Sequence, residues 1–408
     1  MSLNLDILNN QKELKKKLNK NLSSKQHPFH ILESKVLPDK ELNKLLFSNE
    51  NYLVNGINYD VKRILIPKDG SDDLRPLGLP NLVAKFSQDL VKVLIEPILE
   101  MEDDQYKHKQ SFDFKRSHSC HMAIKNLFDR LPKPFPSFII NLDLKKCFET
   151  ILHSVIIEEL RNKNFYPIKI VEKMLTFKTY LDGQPPILNY GMGTPQGGVL
   201  SPLLCNLVLN HIKPTNAWGK NFNYIRYADD FVIWGFGSCS ERFNLLEKEF
   251  LKIGIGVNKD KTKIYNPYKI HFEFTFLGYE INCTNHVFHL SIPEKKINKF
   301  KNKVIDTIME KKTWNGSARY LFNKLTPVLR GWSGFYCLIN QQLWKQYSFT
   351  LDMFIWKQLE KWTLNKRTTK EKKKVFNKYW TGYKKNTSFL LLKAQLPLRN
   401  KNSYYKNK

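Results

Sequence analysis

Two adjacent acids in a short break between two β-prone runs constrain the fold of this chain more than any other feature. Residues 224–227 and 231–234 are rich in aromatic and β-branched side chains, and Asp229 and Asp230 lie between them. Such runs around a short polar break predict a β-hairpin. Two carboxylates at its turn are suited to bind Mg²⁺, which prefers oxygen ligands. An ordinary Asx turn is the alternative, because Asp also favours turns through bonds to its own backbone.

The charge of the chain indicates a polyanionic partner. The 408 residues carry a formal net charge of +28. Residues 291–408 alone hold 27 Lys and Arg against 6 Asp and Glu, so +21 of that charge lies in the last 118 positions. Six of the eight tryptophans lie in the same helical stretch. Basic helices with an apolar interior are suited to hold a nucleic-acid duplex by its phosphates, although any one Lys cluster is also typical of a solvated face.

Cysteine usage and hydropathy bear on the compartment. The six cysteines are scattered and form no Cys-x-x-Cys pair, which argues against a zinc ribbon and predicts reduced thiols. The N-terminal residues have no secretory apolar segment, and no run approaches the roughly 20 apolar residues of a membrane helix. We therefore expect a protein that is not secreted and has no membrane partner. It would lie in a bacterial cytoplasm or, if organelle-encoded, in an organelle matrix.

A third acid follows a core strand. Residues 138–142 form an apolar run that we predict to end in Asp143, and a helix is predicted from about His153. An acid on an apolar strand is costly unless it is paired or binds a metal. Asp143 is therefore either a helix N-cap or a metal ligand. As a ligand it would converge with Asp229 and Asp230.

A glycine-rich loop precedes a further helix. Gly193, Gly197 and Gly198 let the backbone approach another backbone or a ligand closely. The loop is not a phosphate loop, because the Gly-Lys-Ser/Thr ending is missing. Ser201 begins an apolar helix, in which Pro202 occupies a tolerated position of the first turn.

The remaining pattern indicates an α+β fold. Residues 61–80 predict two extended segments around a turn at 69–70. Lys68 and Arg75 flank that turn and could converge on one anion such as a triphosphate, although two surface cations beside a loop are the simpler interpretation. Helices are predicted over 82–101, from near Met122 and over 240–253. Strands and helices mix across 138–281 without βαβ repetition, as in α+β proteins.

Taken in this order, the segments resemble the reverse transcriptases, and among them the group II intron-encoded type. The likeness is strong over residues 61–281 and moderate over 291–390. The Tyr227-Ala-Asp-Asp string is the family's signature. The other segments that carry the resemblance are residues 66–68 with 75–80, 141–149, 193–206, 261–262, 276–279, 325–336 and 378–380.

The resemblance implies a right-hand polymerase with an α+β fold. An N-terminal helical extension would occupy residues 1–60, the fingers 61–137, the palm 138–290 and a basic helical thumb or maturase-like region 291–408. The implied activity is RNA-directed DNA synthesis from dNTPs. The implied partners are an RNA template, the RNA/DNA duplex and a cognate structured RNA whose splicing the protein assists.

The family's catalytic residues carry over onto three acids of this chain. Asp143, Asp229 and Asp230 would be the catalytic, metal-binding carboxylates, holding two Mg²⁺ ions. Two metals about 3.5–4 Å apart stabilise both the attacking and the leaving oxygen of an in-line displacement. The chemistry of nucleotidyl transfer thus agrees with the implied role.

The nucleotide pocket carries over in the same way. Phe148 would lie below the sugar and exclude a 2′-hydroxyl, and Gln196 would line the pocket. Lys68 and Arg75 would hold the triphosphate. Lys261 is a candidate to protonate or stabilise the leaving pyrophosphate.

Two departures from the family pattern limit these implications. The motif before the first catalytic strand normally reads Gly-Phe-Arg-x-Gly-Arg-Ser, whereas residues 113–119 read Asp-Phe-Lys-Arg-Ser-His-Ser, which puts its template contacts in doubt. The chain also ends near residue 408 without a Cys- or His-paired nuclease module, so we do not expect it to cleave target DNA.

Two other functions remain open at this point. The first is a domesticated bacterial reverse transcriptase, for example in antiphage defence, that copies a dedicated non-coding RNA. The second is an RNA-binding splicing factor that no longer polymerises. The presence of Asp143, Asp229 and Asp230 argues against the second.

Overall fold

The computed structural model describes residues 50–67, 74–106, 110–112, 118–131, 136–165, 167–181, 183–212, 222–268, 271–284, 287–316 and 318–364. The chain divides into two compact units, Met1–Asn266 and Pro267–Lys408. The predicted border between palm and thumb at residue 290 differs from this division, and the strands just before it belong to the second unit. Three parts of the predictions lie outside the described residues: Lys68, residues 113–117 of the motif that differs from the family pattern, and residues 378–380.

The first unit contains two β-sheets and the helices that cover them. Its helices are α1 (Glu50–Asn55), α2 (Leu82–Tyr106), α3 (Cys120–Arg130), α4 (Cys147–Thr150), α5 (His153–Asn162), α6 (Ile168–Leu175), α7 (Ser201–His211) and α8 (Ser240–Lys252). Its strands are β1 (Val61–Pro67), β2 (Leu74–Pro80), β3 (Phe138–Lys145), β4 (Phe177–Tyr180), β5 (Ile187–Asn189), β6 (Phe222–Tyr227), β7 (Asp230–Gly235), β8 (Gly256–Val257) and β9 (Lys263–Tyr265).

The predicted helices are confirmed, with small shifts at their ends. The helix predicted near Met122 begins at Cys120, because the Ser119 hydroxyl accepts a hydrogen bond from the Met122 backbone N–H and caps it. The helices expected from His153 and Ser201 begin at those residues. For the helix from His153, buried residues recur on one face at the helical period, whereas the helix from Ser201 is apolar and buried on most sides.

The central sheet of this unit has the strand order β6-β7-β3-β8, and β9 also pairs with β3. All of its named pairings are antiparallel. Strand β3 is longer than predicted: it continues through Asp143 to Lys145, because Leu144 and Lys145 pair with Val257 and Gly256. Asp143 therefore lies inside the strand rather than at its end, which places its side chain on a face of the sheet.

A second, four-stranded sheet has the order β2-β1-β4-β5. Strands β1 and β2 form the antiparallel pair expected from residues 61–80, whereas β1 and β4 run parallel. The core of the unit lies between the sheets and helices α2, α5 and α7, with residues such as Ile140, Val208 and Phe231 fully buried. The mixture of antiparallel sheets and covering helices confirms the α+β class.

The second unit combines a three-stranded sheet with basic helices. The sheet consists of β10 (His271–Phe276), β11 (Tyr279–Thr284) and β12 (Val287–Ser291), in that order and antiparallel. The helices are α9 (Glu294–Met309), α10 (Lys311–Asn315), α11 (Ala318–Phe335) and α12 (Gln341–Leu364). Residues 276–281 look continuous in the sequence but belong to two strands. Leu277 and Gly278 have positive φ values of 48° and 79° and turn the chain between β10 and β11.

Aromatic residues hold the helices of this unit together. The rings of Phe300 and Trp332 stack with their centres 4.3 Å apart, and Trp344 lies 5.8 Å from Trp332. Trp362 is buried, and its indole N–H donates to the carbonyl of Thr313 at 3.1 Å. Trp344 is likewise buried, whereas Trp332 is half-buried.

No helix within the described ranges is both long enough and apolar enough to cross a membrane.

Candidate polymerase site in the central sheet

The acid hairpin forms as predicted. Tyr227 at the end of β6 pairs with Asp230 at the start of β7, so that Ala228 and Asp229 make a two-residue turn. Ala228 has a φ of 55°, in the left-handed region that non-glycine residues rarely occupy. The turn is therefore a constrained one, and it presents Asp229 and Asp230 at one end of the central sheet.

Strand β3 brings Asp143 to the same place. Asp143 and Asp230 are direct partners across β3 and β7, and residues directly opposite each other in an antiparallel pair point to the same face of the sheet. The N-cap alternative for Asp143 is excluded, because the residue belongs to a strand and the cap position of α4 is Lys146. The sheet register thus sets Asp143 opposite Asp230, next to the turn that carries Asp229.

A turn after β8 holds Asp143 in place. The Asn258 side-chain amide donates to Asp143 Oδ2 at 2.9 Å, and the Asn258 backbone N–H donates to the Asp143 carbonyl at 2.8 Å. The Asp143 backbone N–H donates to Thr262 Oγ1 at 3.1 Å. Lys261 is exposed in this same turn. Asn258 could not be identified from the sequence, because a turn Asn gives no signal of a partner 115 positions away.

The electrostatics of the acids follow from their proximity. Desolvation, followed by the negative charges of Asp229 and Asp143, raises the pKa of Asp230 to about 7. Because Asp230 is exposed at the protein surface, we attribute its raised pKa chiefly to repulsion from the Asp229 and Asp143 carboxylates. No group of three or more His, Cys, Asp or Glu in the described part of the chain is closed around a point that could hold a metal ion. The donor set nevertheless fits a divalent cation, since a positive charge would relieve this repulsion.

The glycine-rich loop is joined to the segment that follows β3. The Thr194 backbone N–H donates to the Phe148 carbonyl at 2.6 Å, and the Gly193 N–H donates to the Ile151 carbonyl at 2.8 Å. The ring of His153 forms a hydrogen bond with the Gly193 carbonyl at 2.7 Å, a contact that nothing in the sequence signals. Phe148 is half-buried against the core. These bonds fix Phe148 beside the loop that carries Gln196.

The same loop is joined to the four-stranded sheet. The Gly78 backbone N–H on β2 donates to the Gln196 carbonyl at 2.9 Å. Gln196 lines a cleft of about 190 Å³ together with residues of β1, β2, β4 and the segment after β3, including Arg63 and Glu149. The buried Gln196 Oε1 makes no hydrogen bond with any described part of the chain. A buried acceptor without a partner is costly, so this atom is available to a ligand.

Of the two residues predicted to bind the triphosphate, Arg75 is the one that the structure describes. Arg75 is exposed on β2 opposite Ile66, on the same strand as Gly78.

The predicted site residues fall into two groups. One consists of Asp143, Asp229, Asp230 and the turn of Lys261, and the other joins Phe148 with the loop of Gln196. The two groups are neighbours. The hydrogen bond with Cys205 and burial raise the pKa of Cys147 well above its usual value, and the nearby charge of Asp229 adds to this. Cys147 directly precedes Phe148.

An antiparallel sheet that carries converging acids on a central strand and on an adjacent hairpin turn defines the palm of a right-hand polymerase. The profile described as reverse transcriptase (RNA-dependent DNA polymerase) matches residues 66–281. Because this match covers more than half of the 408 residues, the chain belongs to the reverse transcriptase family. A second profile, the maturase-specific domain of group II introns, matches residues 297–380.

Curated relatives are similar over part of their length. The group II intron-encoded protein LtrA of Lactococcus lactis subsp. cremoris is 33% identical over 156 residues, covering 37% of this chain and 24% of that protein. The COX1/OXI3 intron 2 protein of Saccharomyces cerevisiae is 26% identical over 287 residues, which are 55% of this chain and 32% of that protein. Protein YkfC of Escherichia coli is 28% identical over 266 residues, with shares of 54% and 66%. The chain thus spans a quarter to two thirds of the length of these relatives.

Among solved structures, the chain is similar to telomerase from Candida albicans in complex with a fragment of telomeric RNA. The identity is 14% and the TM-score 0.45, covering 79% of this chain and 62% of that one.

Proposed function

We propose that this protein is an RNA-directed DNA polymerase of the group II intron type. Family membership and the opposition of Asp143 and Asp230 across β3 and β7, with Asp229 in the adjoining turn, support the proposal. Asp143, Asp229 and Asp230 would hold divalent cations, which we take to be two Mg²⁺ ions. These ions would stabilise the attacking and the leaving oxygen.

The other residues of the proposed site bind and orient the nucleotide. Phe148 offers a half-buried aromatic edge beside the Gln196 loop, where it would exclude a ribose 2′-hydroxyl. Gln196 Oε1, buried without a partner, would accept a hydrogen bond from the nucleotide. Lys68, Arg75 and Lys261 remain proposed contacts of the triphosphate and of the leaving pyrophosphate, the first of them outside the described residues.

The basic helices of the second unit support binding of nucleic acid. Lys295, Lys299 and Lys303 are spaced by four residues on α9, so they lie on one face. They line an exposed groove of about 680 Å³. Such a row of cations is suited to follow phosphates. We propose that this unit holds the RNA template and the growing RNA/DNA duplex, and that the maturase-like region also binds an intron RNA to assist splicing.

The alternatives are weaker. The three acids are brought together with a raised Asp230 pKa, an arrangement that a non-polymerising splicing factor does not need. The maturase-domain match over residues 297–380 favours an intron RNA as the cognate partner over a dedicated non-coding RNA in antiphage defence.

A primer-extension assay on an RNA template tests the proposal. Wild-type protein with Mg²⁺ and dNTPs should extend a DNA primer, and Asp229→Ala should abolish extension while it retains RNA binding. Asp129→Ala, which changes an exposed acid on α3, is the matched control and should extend normally. Extension by Asp229→Ala at the wild-type rate would refute the assignment.

A further inference from the structure

A buried arginine lies at the base of the acid turn. Arg226 is the second-last residue of β6, and only 1% of its surface is exposed. A buried guanidinium is costly to desolvate, so its hydrogen bonds must be satisfied inside the protein. Neither the metal-binding role of the three acids nor the nucleotide pocket described above accounts for a cation at this position.

The Arg226 side chain joins the acid turn to two other segments. Its Nη1 donates to the carbonyl of Ala228, the residue with positive φ that precedes Asp229, at 3.1 Å. Its Nη2 lies 2.5 Å from each of three acceptors: Asn206 Oδ1 and Asn210 Oδ1 on α7, and Ser111 Oγ. These four acceptors are neutral oxygens, and together they fix the orientation of the guanidinium.

The backbone of Arg226 strengthens the same connection. Its N–H donates to the Gln110 carbonyl at 2.7 Å, and its carbonyl accepts from the Phe112 N–H at 3.0 Å. Residues 110–112 thereby extend the edge of the central sheet beside β6, with Ser111 bridged in parallel to Arg226. The Cζ atom also lies 5.9 Å from the centre of the Phe231 ring, directly after Asp230. Arg226 thus contacts both sides of the Asp229–Asp230 pair.

We propose that Arg226 is a positioning residue of the polymerase. It fixes the Ala228–Asp229 turn from the core side and ties it to α7, the helix that follows the Gln196 loop, so that the acids and the nucleotide loop keep a common frame. Ser111 extends this frame to the segment before residues 113–117. This inference rests on the proposed function, because positioning is measured through the metal and nucleotide chemistry of that site.

Substitution of Arg226 tests the inference. Arg226→Gln should lower kcat roughly 100-fold, the size associated with a misplacement of about 1 Å, with little change in the KM for dNTP. It should also raise the Mg²⁺ concentration needed for half-maximal extension. Arg226→Lys keeps the charge and should restore part of the loss. Leu209→Ala, which opens a cavity in the buried part of α7, is the control for stability: it should lower the melting temperature without changing the Mg²⁺ requirement.

Two further measurements keep the outcomes distinct. If Arg226→Gln does not fold, the double variant Asn206→Ala/Asn210→Ala removes acceptors instead of the charge and should show the same rise in Mg²⁺ requirement. Mn²⁺ affinity, measured by calorimetry on metal-free protein, should fall in the Arg226 variants whether or not the wild type polymerises. A wild type without extension refutes the proposed function alone. Unchanged Mn²⁺ affinity in the Arg226 variants refutes the positioning role of Arg226, and so does an unchanged kcat per folded molecule where the wild type polymerises.

Discussion

The carboxylates of Asp143, Asp229 and Asp230 share one end of a sheet, and their repulsion should be visible in the stability of the metal-free protein. The pKa of Asp230 is raised from an ordinary value of 3.8 to about 7. An acid with a raised folded-state pKa binds more protons in the folded than in the unfolded state between these two values. Its ionisation therefore lowers the free energy of unfolding as the pH rises through that window.

We predict that Asp230→Asn removes this pH-dependent decrease in the free energy of unfolding. In the presence of a chelator, the melting temperature of the variant should exceed that of the wild type at pH 8, and the difference should shrink as the pH falls towards 4. Asp129→Asn, at an exposed position on α3, serves as the control and should show no such trend. A difference between Asp230→Asn and wild type that is independent of pH would contradict the predicted repulsion.

Residue identities could be predicted here, but their partners could not. The acids were found because two carboxylates between β-prone runs and one carboxylate after an apolar strand are costly arrangements that call for a reason. Asn258, His153 and Arg226 were missed, because a turn Asn, a helix-start His and a strand Arg are common when seen one at a time. Only the register of the sheet brings Arg226 against Ser111 and Asn206.

At the scale of elements, the glycine-rich loop connects three parts of the first unit. Gly197 has a φ of 136°, and a Cβ atom there would lie 2.4 Å from the Gly78 carbonyl oxygen on β2. No ordinary side chain tolerates either condition, so a glycine is required. The loop can be joined to β2 through Gly78 and Gln196 only at this spacing.

We predict that Gly197→Ala separates the loop from β2. The KM for dNTP should rise more than kcat falls, because the loop that carries Gln196 moves while the three acids stay in place. Gly183→Ala is a suitable control: this glycine also has a positive φ, of 79°, but a Cβ would meet nothing within 4 Å. Steady-state kinetics on both variants decide the matter, and an equal KM in both would refute the predicted role of the close approach.

Element types were easier to predict than element ends. Apolar periodicity located helices α2, α5 and α8, whereas α7 was located as an apolar run. Helices α5 and α8 bury one face, whereas most described side chains of α2 and α7 are buried. The end of β3 was missed because its last two residues are held by β8, more than 110 positions away. The hairpin at Leu277–Gly278 was missed because leucine seldom occupies the left-handed region, so the sequence 276–281 looks continuous.

At the scale of the whole molecule, charge and chemistry lie in different parts of the chain. The three proposed catalytic acids all precede residue 231, whereas residues 291–408 carry a net charge of +21. The described part of that region is helical, with Lys295, Lys299 and Lys303 on one exposed face of α9. Lysines 372–374, for which we also expect phosphate contacts, lie outside the described residues.

We predict that conversion of Lys295, Lys299 and Lys303 to Gln weakens binding to unrelated primed templates to a similar extent. Each lost phosphate contact should lower the slope of log affinity against log salt by about 0.7–0.9. The control converts Lys248, Lys252 and Lys259, of which Lys252 and Lys259 already pair with Glu249 and Glu247. Equal slopes for the α9 variant and wild type would show that these lysines form a solvated face.

Cleavage of the backbone by a bound redox metal tests the central claim most directly. Fe²⁺ in place of Mg²⁺, with ascorbate and peroxide, generates radicals that cut the chain close to the metal. If Asp143, Asp229 and Asp230 form one cation site, cuts should appear together near residue 143 and near residues 229–230, and Asp229→Asn should remove both sets. Fe²⁺-dependent cuts at one of these segments without the other would contradict a shared site.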